Sequence, residues 1–298
     1  MAEAEKQMRL LIIDGHAFAY RAFYAIRGLS SPSGQPTNAI YGFIKMLEKL
    51  EAGFLPSHTA VVWDGGLDQD RVEGLDNYKA QRDPMPDEME VQLDEIVAYL
   101  EANGIASICD DGVEADDRIG QLAKRAETEG FQVAIASSDK DFFQLVNDQV
   151  KMLNPADKTG EPMDAAAVEA KTGVQPHQIV DWLSLVGDAV DNIPGVPGIG
   201  VKTAASLLNE FGSVDSIYHR LAEVRREKQR EALAASEQAV RRNQALVALK
   251  LDLPGEPELD SLRKGFEDSA QLEKLYENWG FNSMLITLQE SRQSALFK

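Results

Sequence analysis

Residues 8–26 read MRLLIIDGHAFAYRAFYAI: an apolar run, an aspartate, then a pattern of helical period. The run is too short for an ordinary helix and has no wet face, so it reads as a strand buried on both sides. Asp14 stands where that strand gives way to a helix. HTAVVWD (58–64) has the same form and ends at Asp64. IASIC (105–109), FQVAIASSD (131–139) and VKMLN (150–154) are further strand candidates. Between the first two strands, residues 38–53 place Ile40, Phe43, Ile44 and Leu47 on one helical stripe. Strands separated by helices need crossover connections, so the expected fold is α/β, a mostly parallel sheet covered by helices.

The stretch 65–92 is polar, charged and broken by Pro84 and Pro86, too long for an ordinary loop after a strand. It is expected to be a partly helical excursion above the sheet. Strand signals stop near residue 175. The expected division is an α/β core over 1–175 and a helical part over 176–298.

With 298 residues, 44% of them hydrophobic, the chain can bury a sizeable core. No run approaches about 18 consecutive apolar residues, so no membrane span is expected. The opening residues show no basic leader or cleavage site, and the single cysteine, Cys109, follows apolar GIASI. Cys109 is expected to pack as a small hydrophobe, and the chain to work in the reducing cytoplasm. The net charge of −19 argues against a nucleic-acid partner only if the charge is spread evenly. It is not: residues 219–250 hold eight Lys and Arg against four Glu, a local excess of +4.

Acids gather at the strand ends. Asp14 and Asp64 each close a strand, and Asp139 follows VAIASS with Asp141 two residues on. Ligands of open α/β sheets lie beyond the carboxyl ends of the strands, so these acids should converge. GVEADDRIG (112–120) adds Glu114, Asp116 and Asp117 at the start of a helix. Capping a helix N-terminus accounts for one or two of them, but not for acids arriving from other strands. Crowded carboxylates stay ionised only with a cation among them. The four histidines, His16, His58, His177 and His219, show no paired metal spacing. Hard oxygen donors alone point to Mg²⁺ or Mn²⁺. Two such ions about 3.5–4 Å apart suit phosphodiester hydrolysis. Asp188 and Asp191, three residues apart, are expected on one helical face, reaching the same ion.

The stretch GVPGIGVKT (195–203) is not a phosphate-binding P-loop, because Val201 separates Gly200 from Lys202. Nor is it a dinucleotide fingerprint, which needs glycine at Thr203 and a preceding strand. What remains is a helix-hairpin-helix over about 181–212. Its glycines allow close backbone approach, and the next helix start can hold a phosphate without reading bases. A purely structural hairpin is the alternative.

Taken together, LIIDGHAFAYRAFYA, PTNAIYGF, VVWD, YKAQRDPMP, VEADDRIG, SSDKDFFQLV and LVGDAVDNIPGVPGIGVKTAASLL resemble the metal-dependent 5′-nucleases. These are the 5′→3′ exonuclease domain of bacterial DNA polymerase I and the related flap endonucleases. The likeness runs from about Leu10 to Leu253. It implies a PIN-like or resolvase-like core that cleaves DNA at a 5′ flap or a 5′ end beside a duplex junction. An RNA primer strand is a further implied substrate, and a monomer the implied state. Two divalent cations are implied among Asp14, Asp64, Glu114, Asp116, Asp117, Asp139, Asp141, Asp188 and Asp191. Asp14, Asp64, Glu114, Asp116 and Asp139 would lie nearest the first ion, and Asp141, Asp188 and Asp191 would favour the second. Residues 65–92 resemble the family's helical arch, on which Arg71, Tyr78, Lys79 and Arg82 fall at matching positions. Lys79 and Arg82 would hold the scissile phosphate. Tyr20 matches a tyrosine on which a base stacks. Gly198, Gly200, Lys202 and Thr203 match the hairpin that holds duplex phosphates, with K⁺ bound there in relatives.

This sequence departs from the family pattern at His16, Asn38, Gln81 and Arg118. Arg118 would screen the acids, contact a phosphate or point to solvent. Two rival readings are a catalytically silent DNA-junction module, against which the retained acids argue, and a related metal nuclease acting on RNA.

Overall fold

In the computed structural model, residues 7–81, 84–155, 157 and 160–296 are described. The strands are β1 (Arg9–Asp14), β2 (His58–Trp63), β3 (Ala106–Cys109), β4 (Gln132–Ala136) and β5 (Val150–Leu153). They form one parallel sheet in the order β3-β2-β1-β4-β5. The order reverses direction at β1, which puts a crevice between the carboxyl ends of β1 and β4.

Successive strand residues point to opposite faces. Leu10, Ile12, Ala60 and Val62 enter one hydrophobic cluster, and Leu11, Ile13, Val61 and Trp63 enter the other. Full burial of each large aliphatic side chain contributes about 1.5–3 kcal/mol. On the second face lie α1 (Gly15–Ala25), α2 (Asn38–Phe54) and α4 (Asp87–Ala102), which follows the short α3 (Gln69–Gly74). On the first lies α5 (Ala115–Thr128), which buries Ile119, Leu122, Ala123 and Ala126.

After α6 (Ala165–Thr172) come α7 (Ile179–Val186), a two-residue hairpin pair β6 (Gly187–Asp188) and β7 (Ile193–Pro194), and α8 (Val201–Phe211). Then follow α9 (Val214–His219) and the long α10 (Glu227–Val247). Asn243 of α10 donates to the carbonyls of Ser184 and Pro194, at 3.1 and 2.8 Å, and so fastens α10 to α7 and the hairpin.

Residues beyond α10 leave this helical unit and return to the sheet. Gln121 donates to Leu253 O at 2.7 Å, and Gly265 N–H to Gly104 O at 2.7 Å. The last helices, α11 (Ser269–Trp279) and α12 (Asn282–Leu296), complete the core beside α4 and α2. Trp279 donates to Glu95 at 2.9 Å.

Arg118 belongs to this return. It is buried, its Nε on Asp110 at 2.8 Å and its Nη2 on Pro254 O at 2.9 Å, with a further bond to Gln121. It neither screens the acids nor points to solvent; it pins the returning chain to α5. Asn38 is equally internal. It donates to Phe23 O and Ile26 O, the free carbonyls at the end of α1, while Gln92 bonds both Asn38 and the N-terminus of α2.

Candidate metal centre and its surroundings

Asp14 ends β1 and caps α1. One oxygen accepts the Ala17 N–H at 3.1 Å and the other the Ser137 hydroxyl at 2.9 Å. The second bond spans the crevice between β1 and β4. Ser137 Oγ also accepts the Asp139 N–H at 3.1 Å, and Asp139 Oδ1 accepts the Asp141 N–H at 2.9 Å. One serine thus orders three acids. In the sequence, SSD (137–139) gives only the hint of a hydroxyl between strand and acid.

Asp64 follows β2, and its N–H donates to His16 Nδ1 at 3.1 Å. Burial lowers the His16 pKa, so the ring is neutral with its proton on Nε2. His16 therefore serves as an acceptor for the backbone of an acid.

Burial is the largest cause of a raised pKa at four of the acids. It lifts Asp14 to about 6 and pushes Asp116, Asp139 and Asp141 upward too. Neighbouring carboxylates add to each shift: Asp139 and Asp14 act on Asp116, and Asp139, Asp188 and Asp191 on Asp141.

Asp141, Asp188 and Asp191 each offer an oxygen within 4.8 Å of the others. The expectation of one helical face for Asp188 and Asp191 is not met. Gly187, at φ +80°, ends α7; Asp188 lies on β6, and Asn192 turns the chain at φ +60°. A tight hairpin brings the two acids together instead. It depends on close backbone contact, since a Cβ at Gly195 would lie 2.1 Å from Val186 O. Lys140 pairs with Asp188 at 3.1 Å.

Asp64 Oδ1 and Asp141 Oδ1 are buried without a hydrogen-bond partner. Such acceptors cost free energy unless something satisfies them. A hard divalent cation does so with the all-carboxylate donor set present here. The residues fit that ion.

Asp117 is a correction to the expected ligand set. It accepts Arg71 Nη1 and Nη2 at 2.7 and 2.8 Å and the Lys250 N–H at 2.8 Å. Its charge is matched by Arg71 in a two-point ion pair, which makes it a structural acid. Arg71 is a second correction. It is buried, with all five N–H groups used: on Glu114, twice on Asp117, and on the carbonyls of Leu246 and Ala248. Nothing remains for a DNA phosphate. Tyr78, also expected on DNA, is buried with its hydroxyl 3.3 Å from Glu114. The stretch 69–81 folds down onto the acids because Arg71, Tyr78 and Lys79 all bond Glu114, the N-cap of α5, and Arg71 bonds Asp117 as well.

Glu114 Oε2 accepts from Lys79 at 2.7 Å, Arg71 at 3.0 Å and Tyr78, while Oε1 accepts the Asp68 N–H at 3.2 Å. Lys79 has φ +53°, and its N–H donates to Asp191 O at 3.2 Å. Burial works against its charge, but Glu114, Asp116 and Asp191 prevail and raise its pKa. Lys79 is thus an ammonium held at the edge of the acid group. Arg82 lies outside the described residues. Gln81 donates to Asn192 at 3.0 Å, joining this stretch to the hairpin.

Tyr20 is half-buried on α1, with its ring 6.4 Å from that of the exposed Tyr24 and nearly parallel to it. Gly198, Gly200 and Lys202 are exposed around the start of α8, and Thr203 is half-buried. Gly198 needs its φ of +78°, whereas Gly200 is not in the left-handed region and a Cβ there would meet nothing. The backbone at Gly200 is therefore open to a ligand. Cys109, expected to be packed, is exposed at the end of β3.

A parallel α/β sheet with acids clustered at its switch point defines an α/β protein with a candidate metal site. The N-terminal resolvase-like domain of 5′-3′ exonucleases matches residues 9–173, and their C-terminal SAM fold matches residues 174–270. The chain belongs to the 5′-3′ exonuclease family. It is 38% identical over 276 residues to a 5′-3′ exonuclease of Aquifex aeolicus, covering 93% of each chain. It is 40% identical over 281 residues to DNA polymerase I of Bacillus caldotenax, covering 93% of this chain. It spans 32% of that relative's length. A bacteriophage T5 flap endonuclease, solved in complex with DNA and metal ions, superposes with a TM-score of 0.67 at 26% identity. That match covers 81% of this chain and 89% of the phage chain. No helix among the described residues is long and apolar enough to cross a membrane.

Proposed function

We propose that this chain is a Mg²⁺- or Mn²⁺-dependent 5′→3′ exonuclease and 5′-flap endonuclease. It hydrolyses DNA phosphodiesters where a 5′ single strand meets duplex, in primer removal and repair. The observation that carries this is the meeting of Asp141, Asp188 and Asp191 within 4.8 Å, beside buried Asp14 and half-buried Asp116 and Asp139.

Asp14, Asp64, Asp116 and Asp139 would hold one cation, with Glu114 beside them, and Asp141, Asp188 and Asp191 a second. Bound there, the cations supply Lewis acidity to the phosphodiester and a reactive water at neutral pH. Ser137 keeps Asp14 and Asp139 in register, and His16 holds the backbone of Asp64. The Lys79 ammonium, with Arg82, offsets the charge that builds on the phosphate. Tyr20 stacks on a base beside the cut. Gly198, Gly200, Lys202 and Thr203 hold a duplex phosphate, with K⁺ at the hairpin and the basic segment 219–250 alongside. The enzyme acts as a cytoplasmic monomer and accepts an RNA primer as the 5′ strand.

Cleavage of a 5′-flapped duplex in Mg²⁺, leaving a 5′-phosphate and a 3′-hydroxyl and abolished by EDTA, is the expected result. Binding without cleavage would instead mark a silent junction module. Cleavage of RNA flaps but not DNA flaps would replace the DNA assignment.

A further inference from the structure

Arg71 joins three parts of the molecule that are distant in sequence. Its Nε donates to Leu246 O at 3.0 Å and its Nη2 to Ala248 O at 3.0 Å, at the carboxyl end of α10. Its remaining N–H groups go to Glu114, the N-cap of α5, and to Asp117 on its first turn. Its own backbone belongs to α3, which leads into Tyr78 and Lys79. Arg71 and Lys79 share one oxygen of Glu114. A single buried guanidinium therefore sets the spacing between α10 and the Glu114–Lys79 pair.

A second tie runs in parallel. The Lys250 ammonium bonds Asp68, which caps α3, at 2.7 and 2.8 Å, and Asp70 at 2.6 Å. The Lys250 N–H bonds Asp117. Gln144 bonds both Val247 O and the Leu249 N–H at 3.0 and 3.1 Å, next to the acids of residues 139–141. The chain leaving α10 is thus clamped at successive residues to the elements that carry the acid group.

We propose that Arg71 is a positioning residue for cleavage. By fixing α10, which Asn243 fastens to the hairpin proposed to hold the duplex, at a set distance from Glu114 and Lys79, it determines which phosphate lies over the metal centre. This rests on the nuclease reading above. Arginine is required because one planar fork serves a helix end, a glutamate and an aspartate at once, and the three donors of a lysine cannot. A shift of about 1 Å in placement costs up to about 10²-fold in rate.

The test uses the full chain and a 5′-flapped DNA labelled at both termini. Single-turnover rates at saturating enzyme and cut positions at nucleotide resolution are measured in Mg²⁺. Binding is measured separately by anisotropy without divalent cation. For Arg71→Lys, the saturated rate should fall about 10-fold or more. The cut should spread to neighbouring phosphates, with the dissociation constant within about 3-fold of the unaltered chain. A merely weakened fold lowers the active fraction without moving the cut. Weaker binding with unchanged rate and cut position would make Arg71 a DNA contact and overturn the proposal, as would no change in any of the three. Should Arg71→Lys fail to fold, Lys250→Met removes the parallel tie from a half-exposed site. It should broaden the cut in the same way, and an unchanged cut pattern there overturns the proposal. If the unaltered chain leaves the flap intact, the nuclease reading fails, a result distinct from any of these.

Discussion

Asp116 and Asp117 are neighbours on the first turn of α5, and the structure gives them opposite duties. Asp117 accepts both Arg71 Nη groups, at 2.7 and 2.8 Å. Asp116 sits among Asp139, Asp14 and Asp141, where burial and their charge hold its pKa well above the ordinary value. One acid is matched by a cation of the protein; the other is crowded by carboxylates.

That division separates stability from activity. Asp117→Ala leaves Arg71 buried with its main partner gone, which should cost about 3–5 kcal/mol of folding free energy in urea titrations. Asp116→Asn removes a repelled charge, so the metal-free protein at neutral pH should be at least as stable as before. Its Mg²⁺-dependent cleavage should fall by about 10²-fold or more. The reverse pattern would mean that the two roles have been exchanged.

The sheet and most strand-end acids were legible because the information is local. Leu10 to Ile13 alternate between two cores, and an aspartate at the end of such a run has few places to go. What stayed hidden was non-local. Arg71 finds Leu246 O and Ala248 O across 175 and 177 residues, and no spacing rule announces that. Asp117 looks like Asp116 in sequence, and only the arrival of Arg71 and Lys250 tells them apart. Asp188 and Asp191 lie together through a hairpin and not on a helical face, because Gly187 ends α7 before them.

The hairpin holding those two acids depends on the bare backbone at Gly195. Gly195→Ala would force a Cβ to 2.1 Å from Val186 O. The hairpin must then open, moving Asp188 and Asp191 away from Asp141. Calorimetric titration with Mn²⁺ should show the weaker site lost or its affinity reduced about 10-fold or more, as when a metal's supporting shell is disturbed. The parallel sheet should survive, read by far-UV circular dichroism.

Lys202 is exposed at the start of α8 beside the open Gly200 backbone. Lys202→Ala should weaken binding of duplex-containing DNA to a similar degree for any sequence. The slope of log affinity against log salt should fall by about one, since one phosphate contact is removed. A sequence-dependent loss would indicate base reading instead.

His58 opens β2 and is buried, with Nδ1 2.8 Å from the Ser57 hydroxyl and Nε2 without a partner. Burial, then Arg263, hold its pKa below 6.5. Just below that pH the unfolded chain binds more protons than the folded one. The His58 contribution is therefore fully present above pH 6.5 and lost as pH falls through the folded pKa. Asp14 works the other way: its pKa is raised from 3.8 to about 6, so its ionisation costs stability as pH rises through that range. Comparing unfolding free energies of the unaltered chain and His58→Gln across this window isolates the histidine. The variant should lose less stability on acidification, and identical slopes would contradict the assignment.

As proposed, these acids hold divalent cations that make the chain a 5′-nuclease. The most direct measurement is single-turnover cleavage of a 5′-flapped DNA duplex with product mapping, in Mg²⁺ and in EDTA, for the unaltered chain and Asp116→Asn. The expected result is a cut at the flap junction in Mg²⁺ that vanishes with EDTA and falls at least about 10²-fold in the variant. Tight binding with no cut in Mg²⁺, or a cut indifferent to both EDTA and Asp116→Asn, would contradict it.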